Sequence, residues 1–244
     1  WVSSTRGMKP DITKYPLVPD TLKWDLWIGP APEHKYTPDL CPYNWRFWWN
    51  YGTGEGGNWG CHILDIPFWA LDLQYPTRVD VSGPEAHPTK TPTQFASKFQ
   101  FPARGDRGPV TLHWVQGTPA VLKERGIKTK GNNLFIGTEG MLSCGFGEPT
   151  LLPADKFKDF KAPPQTIPDS PGFHKEWILA AKGDKTAPTC NFDYSGPLSE
   201  TVLLANAAIR SGGGFDWDAA NLKAGGNDKA GAFIREQYRK GWEI

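Results

Sequence analysis

Asn58, His62, Asp65 and Trp69 are spaced by four, three and four residues, so on a helix turning about 100° per residue they share one line. Histidine can take and return a proton near neutrality, and an amide or carboxylate fixing one ring nitrogen leaves the other free to face a substrate. His62 is therefore a candidate acid/base group, with Asn58 and Asp65 as its neighbours. A plainer reading stands beside it: Asn58 as a helix N-cap and His62 as a satisfied core histidine. Metal binding ranks third, because no further ligand lies at useful spacing.

The rest of that helix is Trp59, Ile63, Leu64, Ile66, Phe68, Ala70 and Leu71, apolar nearly all round, which predicts a buried helix presenting the imidazole to a cavity. A polar group carried inside must find a partner, since leaving one unsatisfied costs about 1–3 kcal/mol. Pro67 has no N–H to donate and should kink or restart the helix.

Trp45, Trp48, Trp49 and Trp59, with Asn44 and Arg46 among them, crowd the approach to the helix. Flat indoles beside polar groups suit a sugar ring, which offers an apolar face and many hydroxyls; core packing is the alternative for any one of them. Gly52, Gly54 and Gly57 spell G-x-G-x-x-G, but a dinucleotide fingerprint follows a buried β-branched strand, and here Trp- and Asn-rich residues precede it. The stretch reads as a plain glycine loop. His174, Glu176, Asp193 and Tyr194 read as caps and surface residues, and His34, His87 and His113 show no convincing partners.

A helix beginning near Asn58 is followed, from about Arg78, by a period of two. Val79 and Val81 alternate with charge, Phe95, Ser97, Phe99 and Phe101 share a face, and Val110, Leu112 and Trp114 continue the pattern. Leu134–Gly137 and Met141–Cys144 flank a tight turn. Helices are predicted over Phe173–Lys182, Leu198–Ser211, Asp218–Lys223 and Ala230–Arg239, and residues 146–172 as one long surface loop. Strands joined by turns and segregated from helices give an α+β fold, a largely antiparallel open β-sheet with helices packed on one face. Pro-rich residues 5–44 read as an ordered wrap, and residues 1–244 as a single domain.

The 244 residues can bury about 70–75 % of their unfolded surface. Twelve Trp and thirteen Phe exceed what packing needs, so some should line a cleft. A formal charge of +1, with no basic run among the aromatics, gives no footprint for nucleic acid or anionic membrane. Cys41, Cys61, Cys144 and Cys190 lack CxxC spacing, against a structural zinc site; disulfides stay open. No apolar window approaches a membrane span of about 20 residues.

The segments WDLWIGPAPEHKY, NWRFWWNYGTGEGGNWGCHILDIPFWAL, FPARGDRGPVTLHW, NNLFIGTEGML, NFDYSGPLSETVLLANAAIRSG and YRKGWEI together resemble the C-terminal domain of bacterial oxidoreductases of the glucose-fructose oxidoreductase/inositol dehydrogenase/MocA (Gfo/Idh/MocA) family. The resemblance implies a substrate-binding and oligomer-forming domain of an NAD- or NADP-dependent sugar or polyol oxidoreductase. It implies a Rossmann domain earlier in the polypeptide, homo-oligomers formed through the sheet, and no cofactor on this chain alone, which by itself should be inactive. The family's Asp-x-x-x-His pair falls on Asn58 and His62: the histidine matches, and an amide replaces the carboxylate. By that resemblance His62 accepts a hydroxyl proton during hydride transfer and Asn58 orients it; on the reading of the indole cluster and the stripe, Trp45, Arg46, Trp59 and Asp65 would position the sugar. Two other functions fit the same residues, glycoside cleavage through transient oxidation and a non-catalytic carbohydrate-binding or oligomerisation module. The compartment, periplasmic or cytoplasmic, is left open.

Overall fold

The computed structural model describes residues 1–184 and 188–243. Five strands form an open antiparallel sheet in the order β3-β2-β1-β7-β8: β1 Arg78–Ser82, β2 Phe95–Phe101, β3 Val110–Gln116, β7 Phe215–Asp218 and β8 Lys223–Gly225. A smaller antiparallel sheet joins β4 Asn133–Ile136, β5 Met141–Cys144 and β6 Thr150–Leu152. The helices are α1 Trp24–Ile28, α2 Gly54–Ala70, α3 Ala120–Glu124, α4 Phe173–Ala181 and α5 Phe192–Ser211. The chain is thus an α+β fold with an open sheet.

Alternation sets the layers. In β2, Phe95, Ser97, Phe99 and Phe101 turn inward while Ala96, Lys98 and Gln100 turn out. The inward side chains, with Val79, Trp114, Phe215 and Trp217, meet Ile63, Leu64 and Phe68 of α2 and Leu198, Val202, Ala205 and Ile209 of α5 in one core. Each such large side chain contributes about 1.5–3 kcal/mol on burial. The opposite face is polar, with Arg78 bridging Asp80 and Asp216 at 2.7 and 2.8 Å.

The two core helices approach closely because glycine lines the contact. A Cβ on Gly60 would lie 2.8 Å from Val202 Cγ1, and one on Gly56 2.8 Å from the Phe95 ring. Residues 54–57, read from sequence as part of a glycine loop, are the first turn of α2, which starts four residues before Asn58. Asn58 is accordingly not the N-cap; Thr53 holds that place without a side-chain bond. The helix also runs through Pro67 without restarting, because proline at that point forfeits a single bond, to Ile63, near the helix end.

Three further expectations change. α5 begins at Phe192, where the Asn191 side chain accepts from the Tyr194 N–H at 3.2 Å, and it ends on Gly212 at φ 78°. The helix expected over 218–223 is instead the turn between β7 and β8, and only Ala230–Phe233 of the last predicted helix coils, as a 3-10 turn. The loop expected over 146–172 contains β6, which completes the small sheet. Along the N-terminal wrap, Arg239 folds back from the far end of the chain. Its Nε donates to the Gly29 carbonyl at 2.6 Å and its Nη2 to Asp25 Oδ1 at 2.5 Å.

Candidate functional site

Helix α2 buries Gly54, Glu55, Gly56, Gly60, Ile63, Leu64, Pro67 and Phe68. The line of Asn58, His62, Asp65 and Trp69 falls on the opposite side, with His62 and Trp69 exposed and Asn58 and Asp65 half-buried. The stripe lies where the spacing puts it, but its surroundings differ from expectation. α2 is an outer-layer helix clamped by α5 and the sheet on one side only, so the imidazole opens onto the molecular surface and does not line either of the two large cavities.

Around His62 the geometry is specific. The Trp59 indole stands edge-on to the imidazole, ring centres 6.1 Å apart at 68°, and is itself half-buried against the core. Among the described residues neither His62 nor Asn58 has a side-chain hydrogen bond, so the amide does not hold the ring here. One turn along, Asp65 is held from an unforeseen quarter: the Tyr194 hydroxyl donates to Asp65 Oδ1 at 2.6 Å and to its carbonyl at 3.1 Å. Burial, and then the neighbouring Asp65 carboxylate, push the Tyr194 phenol well above its ordinary range. Tyr194 was read as a surface or capping residue. It lies 129 positions from Asp65, and no spacing rule could have joined them.

The tryptophans divide. Trp49 is core, its N–H donating to the His87 carbonyl at 2.9 Å and its ring facing Arg210 at 5.5 Å; Trp48 is buried too. Trp45 and Arg46 sit at the N-terminal end of α2, on a 3-10 turn over Asn44–Phe47, with the guanidinium 5.1 Å from the Trp45 ring and 4.0 Å from that of Tyr43. The structure therefore gathers Trp59, His62 and Asp65 on one surface and places Trp45 and Arg46 beside a separate hollow. His34, expected to be alone, meets the Tyr51 hydroxyl through Nε2 at 2.5 Å.

The glycines at the start of α2 are closed in on their side-chain side. A Cβ on Gly52 would meet the Arg46 backbone at 2.6 Å and one on Gly54, at φ +62°, the Thr91 side chain at 2.6 Å, so the space beside them is already filled by protein. All four cysteines are free. No helix among the described residues is long and apolar enough to cross a membrane. A family model described as "Oxidoreductase family, C-terminal alpha/beta domain" matches residues 7–244. A comparison with curated proteins finds no match.

Proposed function

Because the chain belongs to that oxidoreductase family, as its C-terminal alpha/beta domain, we propose that it supplies the substrate-facing surface and the proton acceptor of an NAD- or NADP-dependent sugar or polyol oxidoreductase. One observation carries the reading: His62 stands exposed on the polar line of an otherwise core-packed helix, propped by Trp59, with both ring nitrogens unspent. An imidazole so placed can accept a hydroxyl proton from a carbon that is losing hydride. The hydride acceptor would be a nicotinamide held by a separate nucleotide-binding domain, as the family resemblance implies.

Surface placement fits that division of labour. A reacting centre must be closed against water, and an open imidazole becomes enclosed when a nucleotide-binding domain lies over the α2 stripe. Asp65, fixed by Tyr194, and Trp59 flank the ring and present an acceptor and an apolar wall to a polyhydroxylated substrate. Asn58 offers an amide one turn before His62 and supplies no charge to the imidazolium, so the stabilising carboxylate nearest in the stripe is Asp65. Homo-oligomers would form through the outward sheet face, whose supporting feature is its charged network of Arg78, Asp80, Lys98 and Asp216.

Product analysis of the polypeptide carrying this chain with a nucleotide-binding domain tests the reading. Keto-sugar accumulating with net reduced nicotinamide supports it. A freed aglycone with no net reduction assigns the domain to glycoside cleavage, and saccharide binding without any turnover reduces it to a binding module. Saturable binding of NAD by residues 1–244 alone would contradict the separation of roles.

A further inference from the structure

Between the N-terminal wrap and the loop leading into α2 lies a hollow of about 410 Å³ lined by Leu22, Trp27, Cys41, Pro42, Trp45 and Tyr51. This size falls within the roughly 300–1,000 Å³ typical of small-molecule sites. None of the six lining side chains carries a formal charge at neutral pH. Three features distinguish the hollow from a packing defect. Trp27 stacks on Trp24 with ring centres 4.8 Å apart and planes 8° from parallel, which fixes its orientation. Tyr51 is fixed as well, by His34 through its hydroxyl and by Trp27 at 5.0 Å. The indole N–H groups of Trp27 and Trp45 donate to nothing among the described residues and, unlike the buried unpartnered ones of Trp48, Trp59 and Trp114, stay accessible to a ligand.

We infer that this hollow is a binding site for a neutral pyranose ring, separate from the His62 stripe. Rigid indole and phenol faces suit the C–H faces of a pyranose, and two unspent N–H donors suit its hydroxyls. No lining side chain is a cation that could pair directly with a phosphate or carboxylate; the cations near it, Arg46 5.1 Å from the Trp45 ring and Arg239 near Tyr51, lie outside the lining, so an acidic or phosphorylated sugar would be desolvated there with little compensation. No residue of α2 lines the hollow and His62 is not among its walls, so a ring in the hollow is not the ring whose proton His62 takes. The site deepens the sugar-oxidoreductase reading by adding a second ring position, and it rests on that reading only for the choice of sugars as the ligand class.

Indole N–H resonances of the ¹⁵N-labelled chain provide the test, with those of Trp27 and Trp45 assigned from Trp27→Phe and Trp45→Phe. The probes are methyl β-D-glucopyranoside, methyl β-D-galactopyranoside and glucose 6-phosphate. Saturable movement of both resonances with a methyl glycoside, weaker with the phosphate and unchanged in His62→Ala, is the expected result. Trp45→Phe keeps an aromatic face and removes the donor, so the affinity should fall about 2- to 10-fold. Failure of every probe to move either resonance overturns the site, as does binding that persists undiminished in both Trp→Phe variants or is lost in His62→Ala. Loss of turnover in His62→Ala with the indole shifts intact would leave both sites standing; loss of turnover in His62→Ala with no indole shift from any probe would leave only the hollow in error.

Discussion

Tyr194 fastens the first turn of α5 to the polar line of α2 through a charge-assisted hydrogen bond, 2.6 Å to Asp65 Oδ1. Replacing it by Phe keeps the ring and removes the bond. Tyr194→Phe should therefore lower stability by about 1–2 kcal/mol in urea unfolding, and an unchanged midpoint would show that the bond is idle. A second raised phenol adds to the alkaline loss of stability. Burial, aided by Cys41 and opposed by Arg239, pushes Tyr51 up to about 12, against about 10 when unfolded. Above about pH 10 the unfolded chain then loses this proton first and holds fewer protons than the folded one, so stability falls as pH rises and levels off beyond about 12. Tyr51→Phe should flatten that part of the stability–pH curve; an identical slope in the variant would assign the alkaline loss elsewhere. At this scale the sequence was half legible. The stripe of Asn58, His62 and Asp65 follows from spacing within one helix, whereas Tyr194 to Asp65 and His34 to Tyr51 depend on how distant segments pack, which no local pattern encodes.

Among the elements, α2 and α5 are set by how near they can come. Gly60→Ala should raise intrinsic helix stability by about 1 kcal/mol, yet its Cβ would sit 2.8 Å from Val202 Cγ1, and overpacking costs about 1–3 kcal/mol. Net destabilisation of up to about 2 kcal/mol is the expected outcome by denaturant unfolding. Adding Val202→Ala to Gly60→Ala should cost less than the two single changes summed; strict additivity would contradict a contact between them. Gly54, Gly56 and Gly57 explain why the start of α2 was misread as a loop. Glycine is a poor helix former by propensity, and at Gly56 only the close packing of the Phe95 ring gives it a reason to be there. β2 was readable because its alternation is unbroken, buried and half-buried residues taking turns from Phe95 to Phe101. β7 and β8 are strands of four and three residues, too short for a period to declare itself, and their Trp, Asp and Ala mimicked a helix.

Across the whole molecule, the two chain ends cooperate to hold the aromatic wrap. Arg239 reaches Asp25 and Gly29, 214 and 210 residues away, and keeps α1, with its Trp24 and Trp27 pair, against the body. Arg239→Ala should leave the sheet and the α2–α5 core intact while speeding hydrogen exchange and proteolytic cleavage within residues 20–36; uniform protection in the variant would show the wrap to be independent of the C-terminal segment. The α+β architecture was legible from the order of strand-like and helical periods. The enclosure of the imidazole was not, because an apolar helix surface does not reveal how much of it the same chain will cover. Here the core covers one side of α2 and leaves the His62 side open.

That open side carries the account, and the kinetics of His62→Ala in the polypeptide that includes a nucleotide-binding domain test it most directly. Loss of a general base should lower kcat/KM for sugar or polyol oxidation by about 10²- to 10⁴-fold, with the unfolding midpoint unmoved because the exposed ring supports no core contact. Undiminished turnover in a folded His62→Ala protein would contradict it.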